Sequence, residues 1–166
     1  TGGGGAVKAG VGASTGAGVD VGAELDGPLV SGMFQLGRYL LLSAGTGAVS
    51  NLQGIWADGP LSAWSGDYHL NINLQMMYWG TAAVVPETAP PMMRFLEQLA
   101  DNGREVALSM YGVDQGWVAH GFVDGRAQGY LYGDTQWALC VTCGAWAATF
   151  FFEQLLVNDL SGLGVG

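Results

Sequence analysis

From Thr135 to Phe152 the chain carries no charged residue. This run limits the possible folds more than any other feature. Burying apolar surface is favourable by roughly 25 cal/mol per Å², so the run must lie in a bilayer or against other protein. A transmembrane helix needs about 20 predominantly apolar residues. This run is shorter and includes Thr135, Gln136, Thr142 and Thr149. It reads as a buried inner helix over about 135–157, capped by Asp134.

Such a helix needs helical neighbours, and the periodicity supplies them. Residues 29–44 place Met33, Leu36, Leu40 and Leu41 on one stripe, ended by Gly45 and Gly47. A short helix runs from Leu74 to about Ala83 and stops before Pro86. The clearest helix spans about 89–111. Thr88 suits its N-cap, and Pro90 and Pro91 suit a first turn whose N–H groups have no intrahelical partner. Met92, Leu96, Leu99, Val106 and Met110 follow the helical period with Gly103 on the same stripe, and Gly112 supplies the stop. No strand alternation and no solenoid repeat appears. The fold class is therefore all-α.

The ends differ from this body. Residues 1–27 hold ten glycines, five alanines and no aromatic residue. Glycine loses the most entropy on ordering and buries nothing in return, so this segment is expected to be a disordered Gly/Ala-rich tail or linker. Gly10-Val-Gly12 is half of a dinucleotide fingerprint, but the next glycine, Gly16, comes one position late and no βαβ context surrounds it. Residues 161–166 form a Gly-rich C-terminal tail, leaving 28–160 as the body. Fourteen acidic against five basic residues give a net charge of −9. That balance excludes a row of phosphates as partner and disfavours an anionic membrane surface. No signal peptide is visible.

The segment Asn51–Trp79 gathers Asn51, Gln53, Asp58, Asp67, His69, Asn71, Asn73 and Gln75 among Trp56, Trp64, Tyr68, Tyr78 and Trp79. Amides and carboxylates satisfy hydroxyl groups, and aromatic faces cover C–H surfaces, so this composition suits a carbohydrate. The ordinary reading is a loop with amide caps, in which Asn73 N-caps the helix starting at Leu74. On an extended backbone, Asn71 and Asn73 would face the same way. Two converging amides can hold a water, which then needs a carboxylate elsewhere to take its proton.

His120 and Asp124 lie four apart and would share a helix face; a metal site there lacks a third ligand. Their readings are a hydrogen-bonded pair in a polar pocket or a plain surface loop. Two cysteines cannot build a disulfide framework. Cys140 and Cys143 form a CxxC within the charge-free run, away from the helix N-terminus where redox cysteines gain reactivity. They read as two small residues packed against a neighbouring helix. No GxSxG, P-loop or HExxH occurs.

FQLGRYLLLSAG at 34–45, NLQGIW at 51–56, LNINLQMMYW at 70–79, LADNGREVALSMYG at 99–112, GWVAH at 116–120 and GAWAA at 144–148 resemble glycoside hydrolase family 95, the α-L-fucosidases. The match keeps the family's order over about residues 30–157. The resemblance implies an (α/α)6 barrel flanked by β-rich domains. It implies inverting hydrolysis of terminal, chiefly α-1,2-linked fucose on an oligosaccharide or glycan, without metal or organic cofactor. A glutamic acid protonates the leaving oxygen, while an asparagine pair and an aspartate position and activate water. Asn71 and Asn73 match that pair and are the catalytic candidates. His120 and Asp124 match the pocket-lining residues of the family's WVAHHxTD stretch. With Trp56 and His69 from the amide-and-aromatic cluster, they are the candidate substrate-binding residues. The resemblance favours a secreted or extracytoplasmic setting.

The departures are local. Gly121 stands where the family tends to have a second histidine, Phe122-Val123 replace Asn-Thr, and Cys143 replaces the first glycine of GGAW. The family's general acid and base-side aspartate fall beyond the GAW helix, and no carboxylate here matches either role. Twelve helices with their loops need about 200–250 residues, so the body is expected to form an incomplete barrel that is inactive alone. Two rival readings remain: a non-catalytic carbohydrate-binding or scaffold remnant, and a small helical membrane or cofactor protein built on the 135–152 run.

Overall fold

The computed structural model describes residues 21–162, with side chains from 26 to 157. The chain divides into two units, with the boundary between Phe34 and Gln35. That boundary lies within helix α1, Val21–Gly45. α1 begins inside the expected tail, while residues 1–20 and 163–166 lie outside the described residues. In the first unit Leu29, Val30, Met33 and Phe34 are exposed.

In the second unit Leu36 and Leu40 are also exposed, so the expected stripe does not face the core. This part of α1 is held instead by Arg38, whose Nε donates to Val84 O at 2.9 Å. Gly45 lies where a Cβ would come within 2.9 Å of Tyr78 Oη.

The core lies between α2 (Asn73–Tyr78) and the long helices α4 (Ala89–Tyr111) and α6 (Cys143–Gly162). Leu70, Leu74, Tyr78, Leu96, Leu99 and Phe150 fill it. The periodicity located α4 well: Met92, Leu96, Leu99, Gly103 and Val106 are buried, although Met110 is 41% exposed. Gly112 takes the left-handed conformation (φ 66°) and its N–H caps the helix on Ala107 O and Leu108 O. The start differs. Thr88 holds the N-cap position of α4 as expected, but it also ends a 3₁₀ turn, Pro86–Thr88, and its hydroxyl donates back to Val85 O at 2.8 Å instead of making a side-chain cap.

Two expected helices are broken. The first becomes α2 and α3 (Thr81–Val84), parted by Gly80 at φ 76°, a conformation that suits glycine. Asn73 is the first residue of α2, not its cap; Ile72 holds that place. The second becomes α5 (Thr135–Ala138) and α6. Asp134 does cap α5, accepting from Gln136 N at 2.9 Å. The chain then turns extended at Leu139, and a Cys140–Cys143 disulfide closes the turn that starts α6. The cysteines are thus a bridge between two helices, not small residues within one. α6 buries one face only, through Cys143, Gly144, Ala147 and Phe150. Trp146, Phe152, Leu155 and Leu156 are exposed. Only 22% of the apolar window over 135–157 is buried, so the expected wholly buried helix is a one-sided one.

Trp117 is wedged between the long helices. A Cβ on Gly103 of α4 would come within 2.8 Å of Val118 O and 3.1 Å of the Trp117 ring. A Cβ on Gly144 of α6 would come within 2.5 Å of the same ring.

A two-stranded antiparallel pair joins the loops. β1 (Tyr68–His69) faces β2 (Phe122–Val123), with Tyr68 opposite Val123 and His69 opposite Phe122. Leu70 N extends the pairing to Gly121 O at 2.7 Å. Strands of two residues are too short to display alternation in the sequence.

Candidate active site

β1 decides which side chains meet. Successive strand residues point to opposite faces. Tyr68 turns inward, packing at a tilt on Phe95 with ring centroids 4.7 Å apart and donating to Val49 O at 2.9 Å. Asp67 and His69 take the other face, where Asp67 Oδ1 meets His69 Nδ1 directly. Phe122 packs on the His69 ring at 4.5 Å, and Trp64 presents its ring edge-on at 5.6 Å. Trp64 and the adjacent Ser65 both hold positive φ, 58° and 61°. Non-glycine residues rarely adopt this conformation, and it concentrates at functional sites.

These residues open onto a cleft of about 600 Å³, within the usual range of small-ligand sites. Asp124, Arg126 and Tyr132 line its other side. Burial raises the Asp67 carboxyl above its ordinary 3.8, although the charge and hydrogen bond of His69 pull it down. A carboxyl held up in this way lies closer to the protonation change that general acid–base work uses. Aromatic faces, a carboxylate–imidazole pair and a rim ion pair together can cover a ring's C–H surface and bond several hydroxyls.

Asp124 organises the rim. Its Oδ1 accepts from Arg126 N and Gln128 N, both at 3.0 Å, and its Oδ2 accepts from Arg126 Nε and Nη2 at 3.0 and 2.9 Å. Burial would raise its pKa, but the bonds from Gln128 and Arg126 outweigh that and lower it.

His120 is different. It has no exposed surface and lies on an irregular segment before β2, so it does not share a helix face with Asp124. Its Nδ1 accepts from Cys140 N at 3.3 Å. The ring proton is therefore on Nε2, which donates to Tyr111 Oη at 3.2 Å. Burial holds its pKa below the ordinary 6.5.

The other candidates are dispersed. Trp56 lines a separate hollow of about 440 Å³ with Gln53 and Asp58. Asn71 lies in a turn and Asn73 opens α2, so the extended backbone that would aim both amides the same way is absent. Asn71 is exposed and Asn73 half-buried, and both reach solvent. Of the predicted residues, the cleft unites His69 and Asp124. It adds Asp67 and Trp64, members of the amide-and-aromatic cluster that were not candidate site residues by themselves, and Phe122, Arg126 and Tyr132, which no pattern in the sequence marked. One signal was available: Asp67 and His69 are two apart, the spacing that puts both on one face of a strand.

The cleft and the turn beside it lie within residues 17–158, the stretch that matches the glycosyl hydrolase family 95 catalytic domain. The chain belongs to glycoside hydrolase family 95. The curated relatives of this family 95 chain carry matching names. It is 43% identical over 136 residues to "Alpha-L-fucosidase 2" of Arabidopsis thaliana, covering 79% of this chain and 16% of that protein. It is 36% identical over 126 residues to "Probable alpha-fucosidase A" of Aspergillus niger, covering 74% and 16%. A protein of the same name from Aspergillus oryzae is 41% identical over 92 residues, covering 53% and 13%. The family 95 chain thus spans about a sixth of the length of the curated relatives it matches.

Proposed function

We propose that this chain is part of the catalytic domain of a glycosidase that removes terminal α-L-fucose, chiefly α-1,2-linked, from oligosaccharides or glycans with inversion. The observation that carries this reading is the family 95 match over 17–158 together with relatives named as α-fucosidases. The helical body corresponds to an arc of an (α/α)6 barrel. The cleft between Trp64 and Tyr132 supports the reading, since its aromatic, carboxylate and imidazole groups suit a sugar ring.

In this reading Asn71 and Asn73 hold the attacking water. Both lie where the chain leaves β1 for α2, and neither residue is buried. Inversion requires two carboxyl groups roughly 6.5–9.5 Å apart across the scissile bond. The general acid and the base-side aspartate belong to the rest of the whole protein, and the 166-residue chain is inactive alone.

The test is Asn73→Ala in the whole protein. The expected result is a fall in kcat of about 10²-fold or more, with a smaller change in KM; an unchanged kcat removes Asn73 from the mechanism. Fucose released from a fucosylated oligosaccharide by the purified 166-residue chain would show that the missing carboxyl groups are not needed.

A further inference from the structure

The Cys140–Cys143 disulfide lies outside the cleft, and the glycosidase reading does not use it. Its two sulfurs are placed unequally. Cys140 is half-buried on the short connection between α5 and α6, flanked by Leu139 and Val141, which are 53% and 55% exposed. Cys143 is 1% exposed and is the first residue of the 20-residue helix α6. Cys140 packs partly against the core but is the less buried of the two, so an incoming thiolate meets it before Cys143. The N-terminus of α6 favours a thiolate left on Cys143 while its apolar surroundings oppose one, so it is the difference in access that sets the order of attack. The connection is also wired to the interior. Cys140 N donates to His120 Nδ1, Gly121 N donates to Ala138 O at 2.9 Å, and Gly144 N donates to Ala119 O at 3.2 Å.

We propose that Cys140–Cys143 is a thiol–disulfide exchange site for a dithiol, and that its opening is felt at His120. A thiolate of the dithiol attacks Cys140 Sγ. A mixed disulfide forms there, the Cys140–Cys143 bond breaks, and its electron pair leaves on Cys143 Sγ. The dithiol's second thiolate then attacks the dithiol sulfur held in that mixed disulfide, closing the dithiol as its own disulfide and expelling Cys140. The two cysteine thiolates take the two protons the dithiol released. Two electrons pass from the dithiol to the protein, and the Cys140 N–H loses the tether that holds it on the His120 ring.

The experiment treats the folded 166-residue chain with dithiothreitol, without denaturant, and alkylates it with iodoacetamide for mass analysis. The expected result is two alkyl groups per chain with helical circular dichroism retained, and a changed ¹⁵N shift at His120 Nδ1. A bridge that opens only in denaturant overturns the exchange site, and an unmoved His120 signal overturns the coupling. The order of attack is read from single variants. Cys140 in C143S should form a mixed disulfide with a thionitrobenzoate reagent at least about tenfold faster than Cys143 in C140S; equal or reversed rates overturn the assignment. If either variant loses helicity, peptide mapping of the first label on the reduced wild-type chain reads the same order.

Discussion

The two histidines were equivalent candidates in the sequence, and the structure gives them opposite surroundings. His69 faces a carboxylate, Asp67, among aromatic rings at the wall of an open cleft. His120 is sealed, with one neutral donor and one hydroxyl as partners. A histidine that pairs with a carboxylate on a cleft wall is placed to meet a ligand. A histidine whose two nitrogens both bond to the fold is a strut. Access and partner type separate the two roles; residue type does not.

The comparison breaks most sharply at His120. His120→Ala should empty a closed site and leave the Tyr111 hydroxyl and Cys140 N–H without their partner, costing about 2–4 kcal/mol. His69→Ala should cost less: its side chain is also nearly buried, but it lines an open cleft, so water can take its place beside Asp67. Urea unfolding of both variants checks this, and equal losses would erase the distinction. Asp124→Ala comes next, at about 1–3 kcal/mol, because its carboxylate ties Arg126 and Gln128 into the cleft rim. The same unfolding assay should show it well above Arg126→Ala.

Acid sharpens the comparison through opposite slopes. Between the lowered His120 value and 6.5, the unfolded chain takes up a proton that the folded chain refuses. His120 therefore makes stability fall as pH drops through 6.5, levelling off below its folded value. Asp67 acts in the other direction. Its folded pKa lies above 3.8, so between the two values the folded chain binds the proton first and stability rises as pH falls. Unfolding midpoints across pH should lose the first slope in His120→Asn and the second in Asp67→Asn. The smallest effect is expected at Arg126→Ala. That side chain is 83% exposed, and exposed ion pairs contribute about 0–1 kcal/mol; chemical denaturation should barely register it.

What was legible in the sequence follows the same division. α4 could be read closely because its apolar stripe at Met92, Leu96, Leu99 and Val106 and its Gly112 stop are local signals acting on one long element. The Asp134 cap was equally local. The breaks at Gly80 and at Cys140–Cys143 were missed because hydrophobic period continues across them; a left-handed glycine and a covalent bridge override it. Half of the cleft was unreadable for another reason. It exists only because Tyr68–His69 pairs with Phe122–Val123 across more than fifty residues of chain, and two-residue strands leave no pattern to detect. The Asn71–Asn73 spacing was visible, but the turn into α2 replaces the extended backbone on which its geometry depended.

The wedge at Trp117 has a consequence for how the chain changes over generations. A methyl group added at 144 collides with the Trp117 indole, and one added at 103 collides with the Val118 carbonyl oxygen as well as the ring. A smaller residue at 117 would relieve the demand for glycine at 144, where the ring alone is in the way, but not at 103, where the Val118 carbonyl oxygen also blocks a Cβ. Separate lineages should therefore inherit 117 and 144 as a pair, with a change at 117 opening the way for one at 144, while 103 stays glycine whatever stands at 117.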